Sequence, residues 1–259
     1  MPTMSIIGCQ VFEDEIVYLI DNDPDIDQVV VLQNGKSDNL IDKIKKQGYT
    51  PDVVSSTELG SHSGTNHEHF TLIIDLLGVG LHASQSNLRS TVYSEIEKLE
   101  KYSDGILVLY GLCGGALHNI EQDFENVSIL KDENEDIVDD CICASLGGKE
   151  KYIEVLKKYS KQGTYFLTPA QTVYWKDLAR ASKLTPDPDD TKTTKKAFDY
   201  LGYNKVAKIN TGLSYEEDYG KRVDNFAKKF DFDVIELEGT LKLIMDCYLK
   251  IKWKLQKKS

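Results

Sequence analysis

Gly105-Ile106-Leu107-Val108-Leu109-Tyr110 runs without a break into Gly111-Leu112-Cys113-Gly114-Gly115. An apolar run this short, ended by glycines, reads as a strand buried on both faces, the kind found inside parallel sheets. Working outward, Leu88 to Tyr102 carries Leu88, Val92, Ile96 and Leu99 on one helical face, and Asn126 to Leu130 is a second short strand. The unit is therefore strand preceded by helix and followed by strand, which calls for crossover connections.

The same alternation extends in both directions. Ser5 to Cys9 and Gln28 to Leu32 are strand-like, with helical patterns over Glu13 to Ile20 and Asp38 to Gln47. Pro51 to Glu68 is polar and reads as a loop or insertion, while Phe70 to Leu77 fits either a strand or the start of a helix. Beyond the acidic run Asp132–Asp140 come helices over Asp140–Leu146 and Glu150–Tyr159. Strand-like Thr164–Leu167, Lys205–Ile209 and Phe232–Leu237 then alternate with helical Gln171–Ser182, Thr193–Leu201, Glu216–Lys229 and Gly239–Lys254. The expected class is α/β: mostly parallel sheet with helices on both faces, a Rossmann-like three-layer arrangement. It divides into lobes 1–160, carrying the cysteine motifs, and 161–259, or forms one continuous domain.

Composition narrows the function. Of 259 residues, 31 are Lys or Arg and 42 Asp or Glu, a net charge of −11, which does not suit a nucleic-acid partner needing a basic stripe. The longest apolar run, Phe70–Leu81, contains Asp75 and is too short to span a bilayer. Met1 to Cys9 has no basic segment or long apolar stretch of a secretory signal, and five cysteines make no disulfide scaffold, so a cytoplasmic protein with reduced thiols is expected.

In open parallel sheets ligands bind beyond the carboxyl ends of strands. Three cysteines stand there: Cys9 after the first strand, Cys113 after Tyr110, and Cys141 one acidic loop beyond Leu130. If the strands are parallel, the three thiols share one edge, a set suited to zinc or an iron–sulfur cluster with one position open. The plainer alternative is three small buried hydrophobes. Cys143 faces elsewhere on its helix, and Cys247 belongs to the apolar face of the last one. His82 is positioned either as a fourth ligand or general acid–base, or as a structural histidine. His62, His67 and His69 form a looser group in a polar loop.

Gly111, Gly114 and Gly115 could let the backbone cradle an anion or cofactor, with Asp140 bordering the same place. Other motifs fail. Asp21-x-Asp23-x-Asp25-x-Asp27 has Pro24, Ile26 and Leu32 where a calcium loop needs other residues. No Walker, GxGxxG or GxSxG pattern is present.

The order of motifs resembles the family called domain of unknown function 1638. The pieces are Cys9 with Glu15, Leu81-His82, Tyr110-Gly111-Leu112-Cys113-Gly114, Asp140-Cys141 with Leu146-Gly147-Gly148, and Gly163-Thr164-Tyr165-Phe166-Leu167-Thr168-Pro169, running over nearly the whole chain to Glu238-Gly239-Thr240-Leu241. Members occur in anaerobes and methanogens beside corrinoid methyltransferase genes. The resemblance thus implies a cytoplasmic protein of one-carbon metabolism or methanogenesis, with corrinoid methyltransferase proteins as partners and a corrinoid or other small molecule as ligand. It singles out Cys9, Cys113 and Cys141 as metal ligands and adds Glu15, beside His82, as a proton-handling or orienting group. It leaves open whether the chain is itself a methyltransferase-related enzyme, a cofactor-carrying accessory protein or a thiol redox protein.

Overall fold

The computed structural model describes residues 2–62, 70–159, 163–213 and 215–258. Strand β1 (Thr3–Cys9) pairs in parallel with β4 (Phe70–Leu77) on one side and β5 (Gly105–Leu109) on the other. With β2 (Ile26–Leu32), β3 (Asp52–Val54) and β6 (Val127–Ile129) they make a six-stranded parallel sheet in the order β3-β2-β4-β1-β5-β6. The three central strands are buried nearly throughout, as their continuous apolar sequences require. Phe70 to Leu77 is therefore a strand, sandwiched between β1 and β2.

Helices α1 (Glu13–Asn22), α2 (Asp38–Lys46), α3 (Leu59–His62), α4 (Gln85–Leu99) and α5 (Ile120–Asp123) connect these strands. The stretch expected to be a loop, Pro51 to Glu68, instead contains β3 and α3. Of β3 only Val54 is buried, so an edge strand exposed on both sides leaves almost no hydrophobic pattern to read.

A second sheet, also parallel, orders β7 (Gly163–Leu167), β8 (Tyr203–Asn210) and β9 (Asp233–Glu238) side by side. Around it lie α8 (Pro169–Ala181), α9 (Thr191–Tyr200) and α10 (Tyr219–Phe230). Its core is an aromatic knot: Phe198, Phe226, Phe230 and Phe232 meet edge-on, with Tyr165 and Trp175 packed against them.

Three helices tie the lobes together. Helices α6 (Cys141–Leu146) and α7 (Lys149–Lys158) place Ile142, Leu146 and Val155 on Ala207, Ile209 and Leu237 of the second sheet, while Cys143 and Ala144 join the first core. The last helix, α11 (Lys242–Lys258), expected in the second lobe, returns to the first. Ile251 and Leu255 lie so close to Gly105 that a side chain there would meet them at 3.2–3.3 Å, and the Tyr248 hydroxyl donates to Asp23 at 2.5 Å. The apolar stripe of α11 records that it is buried, but not by which lobe. No helix of the described residues is long and apolar enough to cross a membrane.

The strand order sets where a ligand can enter. Connections leaving β1 and β2 run toward the β3 edge, and those leaving β4 and β5 toward the β6 edge. Adjacent strands whose connections diverge leave a crevice at their carboxyl ends. This sheet has two, one between β1 and β5 and one between β2 and β4.

Candidate functional site

The crevice between β1 and β5 gathers the sulfur chemistry. Cys9, the last residue of β1, is 1% exposed, and its Sγ lies 3.6 Å from Nε2 of His82, carried on the short turn Val79–Ala83 that follows β4. The His82 imidazole stacks on Tyr110 from the end of β5, with ring centroids 6.1 Å apart. The Tyr110 hydroxyl is buried with no nitrogen or oxygen partner and lies against the Cys9 thiol.

Cys113 is held by a loop laced to the segment before α6. The amides of Leu112 and Cys113 donate to the carbonyls of Val138 and Asp139 at 2.8 and 2.9 Å. Gly111 permits this approach, since a Cβ there would sit 2.5 Å from the Val138 carbonyl oxygen. The same lacing bears on the glycines named from sequence. The Leu112, Cys113 and Gly115 amides are all engaged within the chain, and the Gly114 carbonyl accepts from Gln85 at 2.8 Å. Gly111 and Gly114 thus make room for neighbouring parts of the protein, whereas Gly115, at φ +91°, faces open space.

Cys141 opens α6. Asp140 caps that helix by accepting from the Cys143 amide at 2.8 Å and also accepts from the Tyr152 hydroxyl at 3.2 Å. From the second lobe, Gln171 donates its side-chain amide to Cys141 Sγ at 3.4 Å. The orientation of that amide is fixed, because its Oε1 accepts from the Thr168 amide at 2.9 Å in a capping box that starts α8. Helix α8 packs over the turns that follow β1 and β4 and roofs the crevice.

Burial dominates the electrostatics. It pushes the Cys9 and Cys113 thiols up to about 12 and raises Cys141 well above the ordinary thiol range. Cys113 is raised further by Cys9, and Cys141 by Asp140, Cys9 and Cys113, so the three thiols stand within each other's field. His82 is shifted the opposite way by burial, with Asp140 opposing, and is neutral at neutral pH. Asp140 is raised by burial against the hydrogen bond from Cys143.

The remaining sequence candidates lie elsewhere. Glu15 is buried in α1, where the charges acting on it are Asp14, Lys43 and Glu13 rather than the thiols; burial lifts its carboxyl to about 8 and leaves Oε2 unpartnered. Cys143 is fully buried in the first core, and Cys247 bonds the Lys131 backbone. His67 and His69 lie outside the described residues, and His62 ends α3. Among the described residues no group of three or more His, Cys, Asp or Glu side chains stands close enough together to hold a metal ion. Two participants were given no role from sequence: Tyr110, read as the end of a strand and the first residue of the Tyr110–Gly114 motif, and Gln171. The latter carried a signal, because Thr168-Pro169-Ala170-Gln171 has the spacing of a capping box.

No curated protein matches the chain. A family model described as a protein of unknown function (DUF1638) matches residues 76–248, a span that includes His82, Tyr110, Cys113, Cys141 and Gln171. Cys9 and Glu15 precede it, so the matched segment is shorter than the near-complete span expected from the motifs. With the greater part of its length under that model, the chain belongs to the DUF1638 family.

Proposed function

We propose that Cys9, Cys113 and Cys141, assisted by His82, form a thiolate metal centre, holding zinc or an iron–sulfur cluster. The observation that carries this is the imidazole nitrogen of His82 3.6 Å from the buried Cys9 sulfur, with the part-buried Cys113 and Cys141 thiols close enough to act on that sulfur and on each other. The donor set suits zinc or iron in kind and number, three sulfurs and a nitrogen. In this conformation the side chains stand too far apart to chelate, so binding would require them to close on the metal. Only a thiolate coordinates, so a thiol raised to about 12 must lose its proton on binding.

The same thiols argue against metal-free redox chemistry. With a pKa near 12, only about one thiol in 10⁵ is ionised at pH 7, and the neutral thiol is a poor nucleophile. Among the described residues no cation is prominent in acting on the three sulfurs. A bound metal would supply that positive charge and could keep a substrate thiol ionised at neutral pH. Neutral His82 is ready to ligate without first losing a proton.

The assignment to corrinoid-dependent methyl transfer, in the one-carbon metabolism of an anaerobe or methanogen, is supported by the resemblance of the YGLCG and DC…LGG motifs. The carrier alternative, delivery of a corrinoid to partner methyltransferases, lacks the Asp-x-His-x-x-Gly pattern of corrinoid domains that ligate cobalt by histidine.

The test is metal, iron and sulfide analysis with a visible spectrum on protein purified without oxygen. The expected result is one zinc or one cluster per chain, lost when Cys9, Cys113 and Cys141 are replaced by serine and kept in Cys143→Ser and Cys247→Ser. Metal-free protein in repeated preparations, or metal retained in the triple variant, overturns the reading.

A further inference from the structure

The second crevice, between β2 and β4, opens as a cleft of about 810 Å³, within the range of small-molecule sites. Its charged residues are largely paired with one another. Lys98 binds Glu95 at 2.7 Å, and Arg180 binds Asp177 at 2.9 Å and Asp189 at 3.4 Å. Gln10 is occupied as well, donating to the Lys36 carbonyl and accepting from the Val79 amide.

Two groups are left over. Asp75, in β4 and 3% exposed, receives one hydrogen bond among the described residues, from Asn34 Nδ2 to Oδ1 at 2.9 Å. Asn34 is itself fixed, because it also donates to the Leu76 carbonyl. The second Asp75 oxygen has no donor among the described residues. Lys36, whose stem lies along Gly78, has no ion-pair partner among the described residues; a Cβ on Gly78 would come within 3.2 Å of the Lys36 Cε. Leu32, Leu77, Val79 and Leu81 contribute apolar wall. The cleft therefore offers a buried acceptor at one place, a cation at another, and an apolar surface around them.

We propose that this cleft is a binding site for a nucleotide-sized small molecule that presents paired N–H donors to Asp75 and a phosphate or carboxylate to Lys36. A buried carboxylate with an unused oxygen is well matched by such donors, whose hydrogen bonds to a charged acceptor are strong and directional. Burial, reinforced by Glu95, pushes Asp75 up to about 7, so near neutrality an N–H partner can draw it into the ionised form. Asp177 and Arg180 from α8, Lys98 from α4 and Lys36 after β2 are the other charges lining its surroundings. The site does not depend on the thiol reading, although the turn Val79–Ala83 separates the two: Val79 and Leu81 line the cleft and His82 faces Cys9.

The experiment is calorimetric titration of the full chain with three probes: guanosine 5′-monophosphate, which carries both features; guanosine, which has only the N–H edge; and ribose 5-phosphate, which has only the anion. The monophosphate should bind most tightly. Asp75→Asn should weaken the monophosphate and guanosine about tenfold to a hundredfold and leave ribose 5-phosphate unchanged. Lys36→Ala, at an exposed position, should weaken the two phosphates and spare guanosine, with an unchanged denaturation midpoint showing that the fold is intact. Cys113→Ser should leave all three unchanged, so failure here would leave the metal reading standing. No binding of the monophosphate at millimolar concentration, or binding that both cleft variants leave intact, overturns the proposal.

Discussion

Gln171 and Cys141 meet at 3.4 Å across the seam of the two lobes, the amide of one donating to the sulfur of the other. The contact makes the second lobe part of the sulfur site rather than a neighbour of it. The capping box that starts α8 determines which end of the amide faces the thiol, so a helix-start device also orients a polar group in the crevice.

Replacing Gln171 by alanine removes the donor and half the capping box together. The expected cost is about 1 kcal/mol of stability in urea denaturation. In metal-free protein the alkylation rate of Cys141 should rise, since α8 no longer holds the sulfur, while that of fully buried Cys143 stays unchanged. Equal rates in wild type and variant would show that the contact does not restrain the thiol.

Gly111→Ala tests the lacing of the Cys113 loop. The new methyl would sit 2.5 Å from the Val138 carbonyl and 2.8 Å from the Asp140 amide, both backbone, so the loop or the helix start must move. We expect a loss of about 2–3 kcal/mol, read from the denaturation midpoint, together with reduced metal binding. Gly115→Ala is the control. Nothing lies near its Cβ, and only the φ of +91° resists, so it should lose about 1 kcal/mol.

The parallel sheet and most helices were legible because buried strands such as Ile106–Leu109 carry no polar residue. Edge strand β3 was not, since two of its three residues face solvent. That Cys9 ends one strand and Cys113 follows another could be read from the sequence, and the parallel pairing of β1 and β5 sets both at the same end of the sheet. Gln171 could not be placed at Cys141 from sequence, because that contact depends on how the second lobe folds back. Glu15 shows the reverse limit. It lies near Cys9 in the chain, but the first turn of α1 brings it among Asp14, Lys43 and Glu13.

Metal binding should be visible as proton release. Cys9 and Cys113 are raised to about 12 and Cys141 well above the ordinary thiol range, so all three are protonated in the free protein at pH 7. His82 is lowered by burial and has no proton to give up there. Zinc titrations in buffers of different ionisation enthalpy should therefore report about three protons released per zinc. Apparent affinity should climb steeply with pH between about 6 and 8. Release of one proton or none would mean that the sulfurs are not the ligands.

Glu15 gives the fold a pH dependence of definite sign. Its carboxyl moves from an ordinary 4.5 to about 8 through burial, helped by Asp14. Between those values the folded chain binds a proton that the unfolded chain has released, so stability falls as pH rises through the interval. Over about three pH units that loss is on the order of 4 kcal/mol. Glu13, Asp14 and Asp75 are raised by burial too and contribute with the same sign, Lys43 acting against the shift at the first two. Urea denaturation should accordingly find the protein more stable at about pH 5.5 than at about pH 8. Glu15→Gln, which keeps the shape and removes the ionisation, should be more stable than wild type at the higher pH, by a margin that shrinks to about 1 kcal/mol at the lower. A variant less stable than wild type at the higher pH would mean that the Glu15 charge is compensated within the fold, and the acid cluster of α1 would then be a net source of stability rather than a cost borne beside the sulfur crevice.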